Sequence, residues 1–285
     1  MVSIIIPTYN RANTIERCIR SLQNQTYSDF EVIIVDDNSN DNTEDIIRKI
    51  NDKRVRYIKH KINKGANAAR NTGILHSKGN IIAFQDSDDE WLPNKLEIQV
   101  NELINRKVDI VASSFYKFMD GVKTVLPKEY IEDENISKRV MEKNFFSTQT
   151  ILGKSECFKE NKFDDNIPRF QDWELMIRLS QKYKIHFINK PLVNVYVQDD
   201  SITKKPEKAI EAIDMIMNKH KGLINNNNKA RAEFNILLGN INYEIKDFSK
   251  CYYLEALKYD NLNYKTYLRI IMYTYMKIRY SLFNK

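Results

Sequence analysis

The chain has 285 residues, of which 42% are hydrophobic and 29% charged, and it contains only 7 Gly and 6 Pro. This composition excludes collagen-like repeats and low-complexity chains, and the length suits one large α/β domain with an appendage or two domains. The formal net charge of +7 suits an anionic partner, whether a nucleic acid, a phosphorylated substrate or an anionic membrane surface, without choosing among them.

The N-terminal segment and the cysteines indicate the cellular compartment. "MVSIIIPTYNR" has no basic stretch before its apolar run, which ends at Pro7, so it is typical of a strand and not of a signal peptide. No run approaches the roughly 18 continuous apolar residues of a transmembrane helix. Cys18, Cys157 and Cys251 are scattered without metal-ligand spacing, which indicates unpaired thiols in a reducing compartment. We therefore expect a cytoplasmic protein, with at most peripheral attachment to the inner face of the cell membrane.

The first hundred residues alternate between strand and helix patterns. The predicted strands are "VSIIIPT", "DFEVIIVDD", "VRYIKH" and "NIIAFQD", and the helices between them are "NTIERCIRSLQNQ", "NTEDIIRKI" and "GANAARNTGILHS". In the first helix, Ile15, Cys18, Ile19 and Leu22 recur at helical spacing. Strands that alternate with helices pair in parallel through crossover connections. The pattern therefore predicts an α/β fold, with a doubly wound, mostly parallel central sheet and flanking helices.

The remainder of the chain has a looser pattern that ends in helices only. "VDIVASSFYKFM" predicts a strand with "KTVLPKE" as its hairpin partner, and "NISKRVMEKNFFS" and "DWELMIRLSQKY" predict helices. "KIHFINKPLVNVYV" predicts two short strands around Pro191, and four helical segments follow residue 205. We therefore predict a first domain at 1–205, with a nucleotide-binding half at 1–107 and an acceptor-side half at 108–205. An all-helical C-terminal region at 206–285 completes the predicted organisation.

Polar segments follow three of the predicted strands: "PTYN" after the first, "DDNS" after the second and "DSDD" after the fourth. In doubly wound sheets the ligands bind where the carboxyl ends of the strands meet. Asp86 and Asp88 stand one residue apart after a strand, so both side chains can face one cation. Their oxygens suit Mg²⁺ or Mn²⁺, bound together with a nucleotide diphosphate. The alternative is a solvated acidic loop, because Asp is common in turns.

Several segments in a familiar order carry a resemblance to a known family. "VSIIIPTYNR", "VIIVDDNSNDNT", "NKGANAARNTGI" and "IIAFQDSDDEWLPNKL" resemble the N-terminal signature of the family 2 glycosyltransferases, which are inverting enzymes of the GT-A fold. "FQDWELMIRL" resembles the acidic segment on the acceptor side of that family. The resemblance covers about residues 1–200 and leaves 206–285 uncovered. It implies a cytoplasmic enzyme of cell-surface polysaccharide or glycolipid synthesis that uses a nucleotide-sugar donor.

The resemblance also implies a donor site. The residues in matching positions are Pro7, Thr8, Tyr9, Asp37, Arg70, Asp86 and Ser87. Tyr9 suits stacking on a base, and Asp37 can accept a hydrogen bond from an N–H of uracil, while Asp36 is the less certain of its pair. Asp86 and Asp88 match the metal-binding D-x-D motif, with Asp88 as the direct ligand. Arg70 stands where a basic side chain either approaches the phosphates or braces Asp86, and the sequence leaves both interpretations open.

In the family that this sequence resembles, the segment on the acceptor side carries the catalytic base, and the matching residue here is Asp172. Inversion at an anomeric carbon needs a carboxylate that takes the proton of the acceptor hydroxyl, and a metal stabilises the departing diphosphate. Gln171 stands where an acid is more usual, and Trp91 and Trp173 are candidates for contact with the sugar or the acceptor. The alternatives are that Asp172 only caps the helix and that the tryptophans belong to the core.

Two features depart from the family pattern or lack a role in it. Tyr196 and Gln198 stand where relatives often have Arg and His near the metal, which puts a histidine ligand in doubt. The histidines lie far apart in sequence, so we interpret all of them as structural or exposed: His60, His76, His186 and His220.

The last segment, "YKTYLRIIMYTYMKIRYSLFNK", is rich in Tyr and Lys and contains no acid. Its basic amphipathic character predicts either peripheral contact with an anionic membrane through the C-terminal helices or a packing contact, including a homodimer. The acceptor expected from the resemblance is a saccharide or a lipid-linked molecule, and the donor a UDP-sugar.

Two other function classes remain as alternatives. A nucleotidyltransferase is expected to have a Gly-rich loop after the first strand, and "PTYNRAN" contains no glycine. A nucleic-acid-binding protein would fit the basic charge, but no recognised binding motif is present, so we expect no nucleic-acid partner.

Overall fold

The computed structural model describes residues 1–197, 205–246 and 252–283. The chain divides into two compact units, of which the first comprises Met1–Ser137, Phe145–Asn166 and Gln171–Asp199. The second comprises Lys138–Asn144, Ile167–Phe170 and Asp200–Lys285. The predicted boundary at residue 205 adjoins 198–204, which lie outside the described residues, so that boundary stays a prediction.

The described part of the first unit is built around a nine-stranded sheet. Its strands are β1 (Val2–Thr8), β2 (Phe30–Asp36), β3 (Val55–Lys59), β4 (Ile81–Phe84), β5 (Glu90–Trp91), β6 (Ile110–Met119), β7 (Val122–Leu126), β8 (Leu152–Lys154) and β9 (Ile185–Tyr196). The spatial order is β3-β2-β1-β4-β8-β6-β9-β5, with β7 paired to β6.

The first four strands pair in parallel with one another, as the sequence predicts. β1 pairs in parallel with β2 and with β4, and β2 pairs in parallel with β3. Every residue of β1 and β2 is buried, as expected for parallel strands that are covered on both faces. The covering helices include α1 (Ile15–Gln23), α2 (Thr43–Arg48), α3 (Ala66–His76) and α4 (Lys95–Asn105). The apolar face of α1 contributes Ile15, Cys18, Ile19 and Leu22 to the core, as predicted.

The remaining strands are paired partly in parallel and partly antiparallel. β8 pairs antiparallel with β4 and β6, and β6 pairs in parallel with β9 and antiparallel with β7. The segment around Pro191 is one strand, β9, instead of two, because the chain absorbs the irregularity as a register shift against β6. The next helices in the chain are α5 (Ile136–Glu142), most of which belongs to the second unit, and α6 (Ser155–Glu160) and α7 (Gln171–Leu179) of the first unit. The α/β fold with flanking helices is confirmed.

The described residues from 205 onward, which belong to the second unit, form helices without strands, which confirms the predicted helical C-terminal region. These helices are α8 (Pro206–Lys219), α9 (Lys221–Asn225), α10 (Asn228–Glu244), α11 (Tyr252–Leu257) and α12 (Tyr264–Phe283). Gly239 of α10 lets the ring of Tyr253 approach closely, because an added Cβ would lie 2.6 Å from that ring. Within the described ranges, no helix is long and apolar enough to cross a membrane.

Candidate active site at the ends of the parallel strands

The carboxyl ends of β1, β2 and β4 lie side by side at one edge of the sheet. The Asp37 N–H donates to the Thr8 carbonyl oxygen at 2.8 Å, and the Gln85 N–H donates to the Ile5 carbonyl oxygen at 3.0 Å. The loops beyond the strands are also joined, since the Asn10 N–H donates to Ser39 Oγ. The polar segments that follow the three strands therefore meet, as the sequence predicts.

Asp37 is buried and accepts hydrogen bonds from the loop that leads into α3. Its Oδ1 accepts from His60 Nδ1 and from the Lys64 N–H, both at 2.8 Å, and its Oδ2 accepts from the Gly65 N–H at 2.6 Å. The other ring nitrogen of His60 lies 2.9 Å from Thr72 Oγ1. His60 is thus a structural histidine, and it fixes a residue of the predicted donor site. The uracil contact of Asp37 stays a prediction.

Asp36 is fully buried, and its side chain contacts other parts of the protein. Tyr57 donates its hydroxyl to Oδ2 at 2.6 Å, and the Ser39 N–H donates to Oδ1 at 2.7 Å. Burial and the adjacent Asp36 carboxylate raise the pKa of Tyr57, so the phenol remains a donor. Both carboxylate oxygens of Asp36 are therefore engaged in hydrogen bonds within the protein.

Arg70 of α3 braces Asp86, which is one of the two interpretations that the sequence left open. Its Nη2 donates to Asp86 Oδ1 at 2.7 Å, its Nη1 donates to Asn67 Oδ1 at 3.3 Å, and its guanidinium is nearly buried. Arg70 Nε is buried without a hydrogen-bond partner among the described residues. Over the same residues, no hydrogen bond or ion pair engages Asp86 Oδ2. A nearly buried cation thus holds the first acid and leaves one of its oxygens available.

Two arginines from the segment after β1 lie against the second acid. Arg11 Nη2 lies 3.7 Å from Asp88 Oδ2, and Arg17 Nη2 donates to the Asp88 carbonyl oxygen at 2.6 Å. Arg17 Nε also lies 3.7 Å from Glu90 Oε1. Sequence reasoning missed both arginines, although basic residues close behind the first strand end are a usable signal. We refer to residues 86–90, "DSDDE", as the acidic segment. Its negative charge is offset in part by Arg11, Arg17 and Arg70, before any metal is considered.

Asp89, the third acid of the segment, is a buried structural residue. Its Oδ2 accepts from Gln149 Nε2 at 2.6 Å and its Oδ1 accepts from the Tyr196 N–H at 2.8 Å. Burial, together with the charges of Asp88 and Asp86, raises the pKa of the Asp89 carboxyl above its usual range. Asp89 therefore ties the acidic segment to β9 and is not free to bind a ligand.

Tyr196 occupies the position where the family pattern suggests a basic residue. Its hydroxyl donates to Glu90 Oε2 at 2.5 Å, and the Arg17 guanidinium lies 4.3 Å from its ring centroid. Burial and the hydrogen bond to Glu90 raise the pKa of Tyr196 to about 12. Tyr196 thus fixes the acidic segment through Glu90 and Arg17, while Gln198 lies outside the described residues.

The other predicted donor residues differ in exposure. Tyr9 is 42% exposed, which leaves its ring accessible for the predicted stacking on a base. Pro7, Thr8 and Ser87 are buried at the strand ends. Thr8 Oγ1 has no hydrogen-bond partner in the described part of the chain, although it is buried. A buried hydroxyl without a partner beside the acids is a candidate contact for a bound polar ligand.

A cavity of about 700 Å³ lies beside the acidic segment. It is lined by helix α1 and by the strands β5 and β9, and its charged lining residues are Glu16, Arg17, Arg20 and Glu90. Of the acids in "DSDDE", Glu90 lines this cavity.

The two tryptophans lie in the core, which was the alternative given for them. Trp91 is 3% exposed, its Nε1–H donates to the Gln149 carbonyl oxygen at 3.0 Å, and the Lys95 ammonium lies 3.6 Å from its ring centroid. Burial lowers the pKa of Lys95. Trp173 is buried as well. Neither ring offers an open face to a sugar in this structure.

Asp172 lies in the first turn of α7, directly after Gln171, and both side chains are half-buried. Its Oδ1 accepts from the Trp173 N–H at 2.7 Å, so the carboxylate has a local contact at the helix start. The preceding residue, Phe170, has a φ of 60°, which is rare for a bulky side chain. Strained backbone of this kind persists only where the surroundings enforce it and is common near functional sites. The role of Asp172 as base stays a prediction.

The acids fit a divalent cation that is shared with a substrate. Among the described residues, no group of three or more His, Cys, Asp or Glu side chains could hold a metal ion. Mg²⁺ and Mn²⁺ commonly use one or two carboxylates together with substrate phosphates. Asp86 Oδ2 and the partly exposed carboxylate of Asp88 supply two hard oxygen donors of that kind.

Comparison with known proteins identifies the family. Residues 3–165 match the model of glycosyl transferase family 2. An uncharacterized glycosyltransferase of Rickettsia bellii is 36% identical over 207 residues, which are 71% of this chain and 29% of that protein. The E. coli UDP-Glc:alpha-D-GlcNAc-diphosphoundecaprenol beta-1,3-glucosyltransferase WfaP is 44% identical over 124 residues, 44% of this chain and 49% of that protein. The chain spans only about a third of the length of the relatives from Rickettsia bellii and Rickettsia conorii, 29% and 34% of those proteins.

Solved structures show the same fold at low identity. S. aureus TarS 1–349 in complex with UDP-GlcNAc has a TM-score of 0.66 at 18% identity, covering 91% of this chain and 92% of that one. The mannosyltransferase PcManGT from Pyrobaculum calidifontis, in complex with GDP-Man and Mn²⁺, has a TM-score of 0.63 at 16% identity, covering 97% and 83%. These likenesses support the predicted GT-A type of fold. Because the family model covers more than half of its residues, the chain belongs to glycosyl transferase family 2.

Proposed function

We propose that this chain is an inverting, metal-dependent glycosyltransferase. It moves a sugar from a nucleotide-sugar donor, a UDP-sugar, to a hydroxyl of a saccharide or lipid-linked acceptor. The observation that carries the proposal is the pair Asp86 and Asp88 at the shared strand ends, held by arginines yet partly exposed. Family membership disfavours the nucleotidyltransferase and nucleic-acid-binding alternatives.

The donor site follows from the same edge of the sheet. Tyr9 is exposed for stacking on the base, Asp37 lies at the next strand end, and Thr8 Oγ1 and Arg70 Nε are buried donors without partners among the described residues. Two unpartnered donors suit the phosphate or ribose oxygens of a nucleotide. Structural neighbours in complex with UDP-GlcNAc and with GDP-Man support a nucleotide sugar as donor.

Asp86 and Asp88 would hold Mg²⁺ or Mn²⁺, and a neighbour in complex with Mn²⁺ supports this assignment. A divalent cation there supplies charge stabilisation for the departing nucleotide diphosphate. Arg70 and Arg11 orient the two carboxylates. Ser87 lies buried between the acids, and its contact with the donor nucleotide is part of the proposal.

The transfer needs one base. The acceptor oxygen forms a bond to the anomeric carbon on the face opposite the leaving group, while the bond from that carbon to the diphosphate oxygen breaks. The diphosphate leaves with the electron pair, and Asp172 takes the proton of the acceptor hydroxyl. A carboxylate in the first turn of a helix is stabilised in its ionised form, which suits a base.

The relative WfaP is named for an acceptor linked to diphosphoundecaprenol, which supports a lipid-linked acceptor and a place of action at the inner face of the membrane. The experiment is a thermal-shift screen of nucleotide sugars with Mn²⁺ or with EDTA, followed by measurement of nucleotide release. We expect UDP-sugars to raise the melting temperature only with metal, because a ligand that binds the folded state stabilises it. Stabilisation by no nucleotide sugar, or equal stabilisation in EDTA, would contradict the proposal.

A further inference from the structure

The outward side of α12 carries a continuous apolar stripe. Seven apolar or aromatic side chains along this helix are between 47% and 67% exposed: Tyr264, Tyr267, Leu268, Ile271, Met272, Tyr275 and Ile278. Residues three, four and seven apart lie on the same side of an α-helix. These seven residues follow that spacing, and we refer to them as the outer face of α12.

The opposite side of the helix packs onto its own unit. Thr266 and Tyr273 are buried, and the Tyr273 ring contacts the Tyr253 ring of α11 edge-on at a centroid distance of 5.8 Å. The helix is therefore fixed by one side, and its apolar outer face is presented away from the helices that hold it. An ordinary surface helix would have polar residues on that side.

Helix α8 in the same unit shows that ordinary pattern. Its exposed residues are all polar or charged: Glu207, Lys208, Glu211, Asp214, Asn218 and Lys219. Single exposed apolar residues are common on proteins, whereas a contiguous apolar patch marks an interaction surface. The contrast between the two helices identifies the outer face of α12 as such a surface.

Charge indicates what covers it. Helix α12 contains no Asp or Glu, and its four charged residues are Lys265, Arg269, Lys277 and Arg279. By helical spacing, Lys265 lies at one edge of the apolar stripe and Arg279 lies within it, four residues after Tyr275 and seven after Met272. Arg269 and Lys277 lie on the other side of the helix, three or four residues from the buried Thr266 and Tyr273. A twofold pairing of the outer face with a second copy would bring Lys265 and Arg279 of both copies together without acids of α12 to pair them, which is unfavourable. Anionic lipid headgroups would neutralise these two cations while the apolar stripe meets the acyl chains.

We propose that the outer face of α12 binds an anionic membrane surface. The leucine, isoleucine and methionine side chains enter the boundary between headgroups and acyl chains, and Lys265 and Arg279 contact lipid phosphates. The tyrosines suit the same boundary, because each has an apolar ring and a polar hydroxyl. The inference stands on α12 alone, and it would bring a glycosyltransferase to the surface where lipid-linked acceptors lie.

The test is co-sedimentation of the whole chain with vesicles of phosphatidylcholine alone or mixed with phosphatidylglycerol. We expect binding to the mixed vesicles, weakened by added salt, and little binding to the neutral ones. Ile271→Glu with Tyr275→Glu should reduce binding roughly tenfold or more, because a charge in the contact layer opposes insertion. The matched control is Lys208→Gln with Asn218→Glu on α8, which changes the net charge equally and should bind as the wild type does.

A second variant, Lys265→Gln with Arg279→Gln, removes the two cations of the outer side without changing its apolar side chains and should also weaken binding to mixed vesicles roughly tenfold. Equal binding of wild type and the α12 variants, equal binding to neutral and anionic vesicles, or no binding to either would overturn the proposal. So would a dimer in lipid-free solution that Ile271→Glu converts to a monomer, because a second copy would then cover the face.

Thermal stabilisation by UDP-sugar and Mn²⁺ is recorded for every variant. Vesicle binding without nucleotide-sugar binding would contradict the proposed function and leave this inference intact. Nucleotide-sugar binding without vesicle binding would contradict the membrane inference and leave the proposed function intact.

Discussion

The acids that follow β2 and the acids that follow β4 look alike in sequence but differ in the structure. Asp37 has a 4% exposed side chain and accepts three hydrogen bonds from His60 and the loop before α3. Asp86 and Asp88 have side chains that are 27% and 20% exposed, and each lies against an arginine. The difference lies in how much of each carboxylate the fold leaves exposed to solvent.

Asp89 shows that position along the chain does not decide this difference. It directly follows Asp88, yet it is buried and holds the segment to β9, as Asp36 and Asp37 hold their own loops. A strand-end acid is therefore available to a metal ion only where the fold leaves an oxygen exposed. Substitutions at the two kinds of acid should separate loss of function from loss of stability.

The largest effect is expected at Asp172, which is half-buried like the available acids. Asp172→Asn removes the base, so sugar transfer should fall by about 10² to 10⁴. The affinity for UDP should stay within about twofold, because the base contacts the acceptor and not the nucleotide. Initial rates with a UDP-sugar and direct binding of UDP would check both parts. A parallel loss of UDP affinity would show that Asp172 only supports the fold.

Asp88→Asn should give the next largest effect. Loss of a metal ligand should weaken binding of Mn²⁺ in the presence of UDP by about tenfold to a hundredfold. Unfolding free energy should change by less than about 0.5 kcal/mol, because the side chain is partly exposed. Electron paramagnetic resonance of free Mn²⁺ and chemical denaturation measure the two quantities. Unchanged Mn²⁺ binding would remove Asp88 from the site.

Asp89→Asn is the matched partner of that variant, one residue away. The amide places an NH₂ donor where the carboxylate accepts from Gln149 and from the Tyr196 N–H, so a buried donor is left unpaired. We expect a loss of about 1–3 kcal/mol in unfolding free energy. Chemical denaturation checks it, with metal affinity measured on the folded protein. If Asp89→Asn weakened metal binding at unchanged stability, the division between structural and available acids would be wrong.

The smallest effect is expected at Trp91. Trp91→Phe removes the hydrogen bond from Nε1 to the Gln149 carbonyl oxygen in the core, at a cost of about 1 kcal/mol. Transfer rates should stay near those of the wild type, because the ring has no open face. A clear loss of transfer at unchanged stability would restore the prediction that Trp91 contacts the sugar.

Local patterns in the sequence predicted the parallel half of the sheet and its acidic edge. The strand and helix periods in the first hundred residues are strong, and the carboxyl ends of neighbouring parallel strands necessarily meet. The short strands β5 and β8 have only two and three residues, too few for a period to show. Pro191 suggested a break in β9, but pairing with β6 continues across it through a register shift.

The arrangement around the acids depends on contacts between distant parts of the chain, which local patterns do not encode. Arg17 and the Asp88 carbonyl oxygen are 71 residues apart in sequence, and Tyr196 and Asp89 are 107 apart. The burial of Trp91 likewise follows from packing against Gln149 and Lys95. Sequence reasoning therefore found the acids but not the residues that decide which of them are available.

The proposed cation at Asp86 and Asp88 is tested most directly by a calorimetric titration of a UDP-sugar into the wild-type chain, with Mn²⁺ and again with EDTA. If Asp86 and Asp88 hold a cation together with the donor diphosphate, binding should be measurable with Mn²⁺ and lost in EDTA. Equal affinity under both conditions would contradict the account.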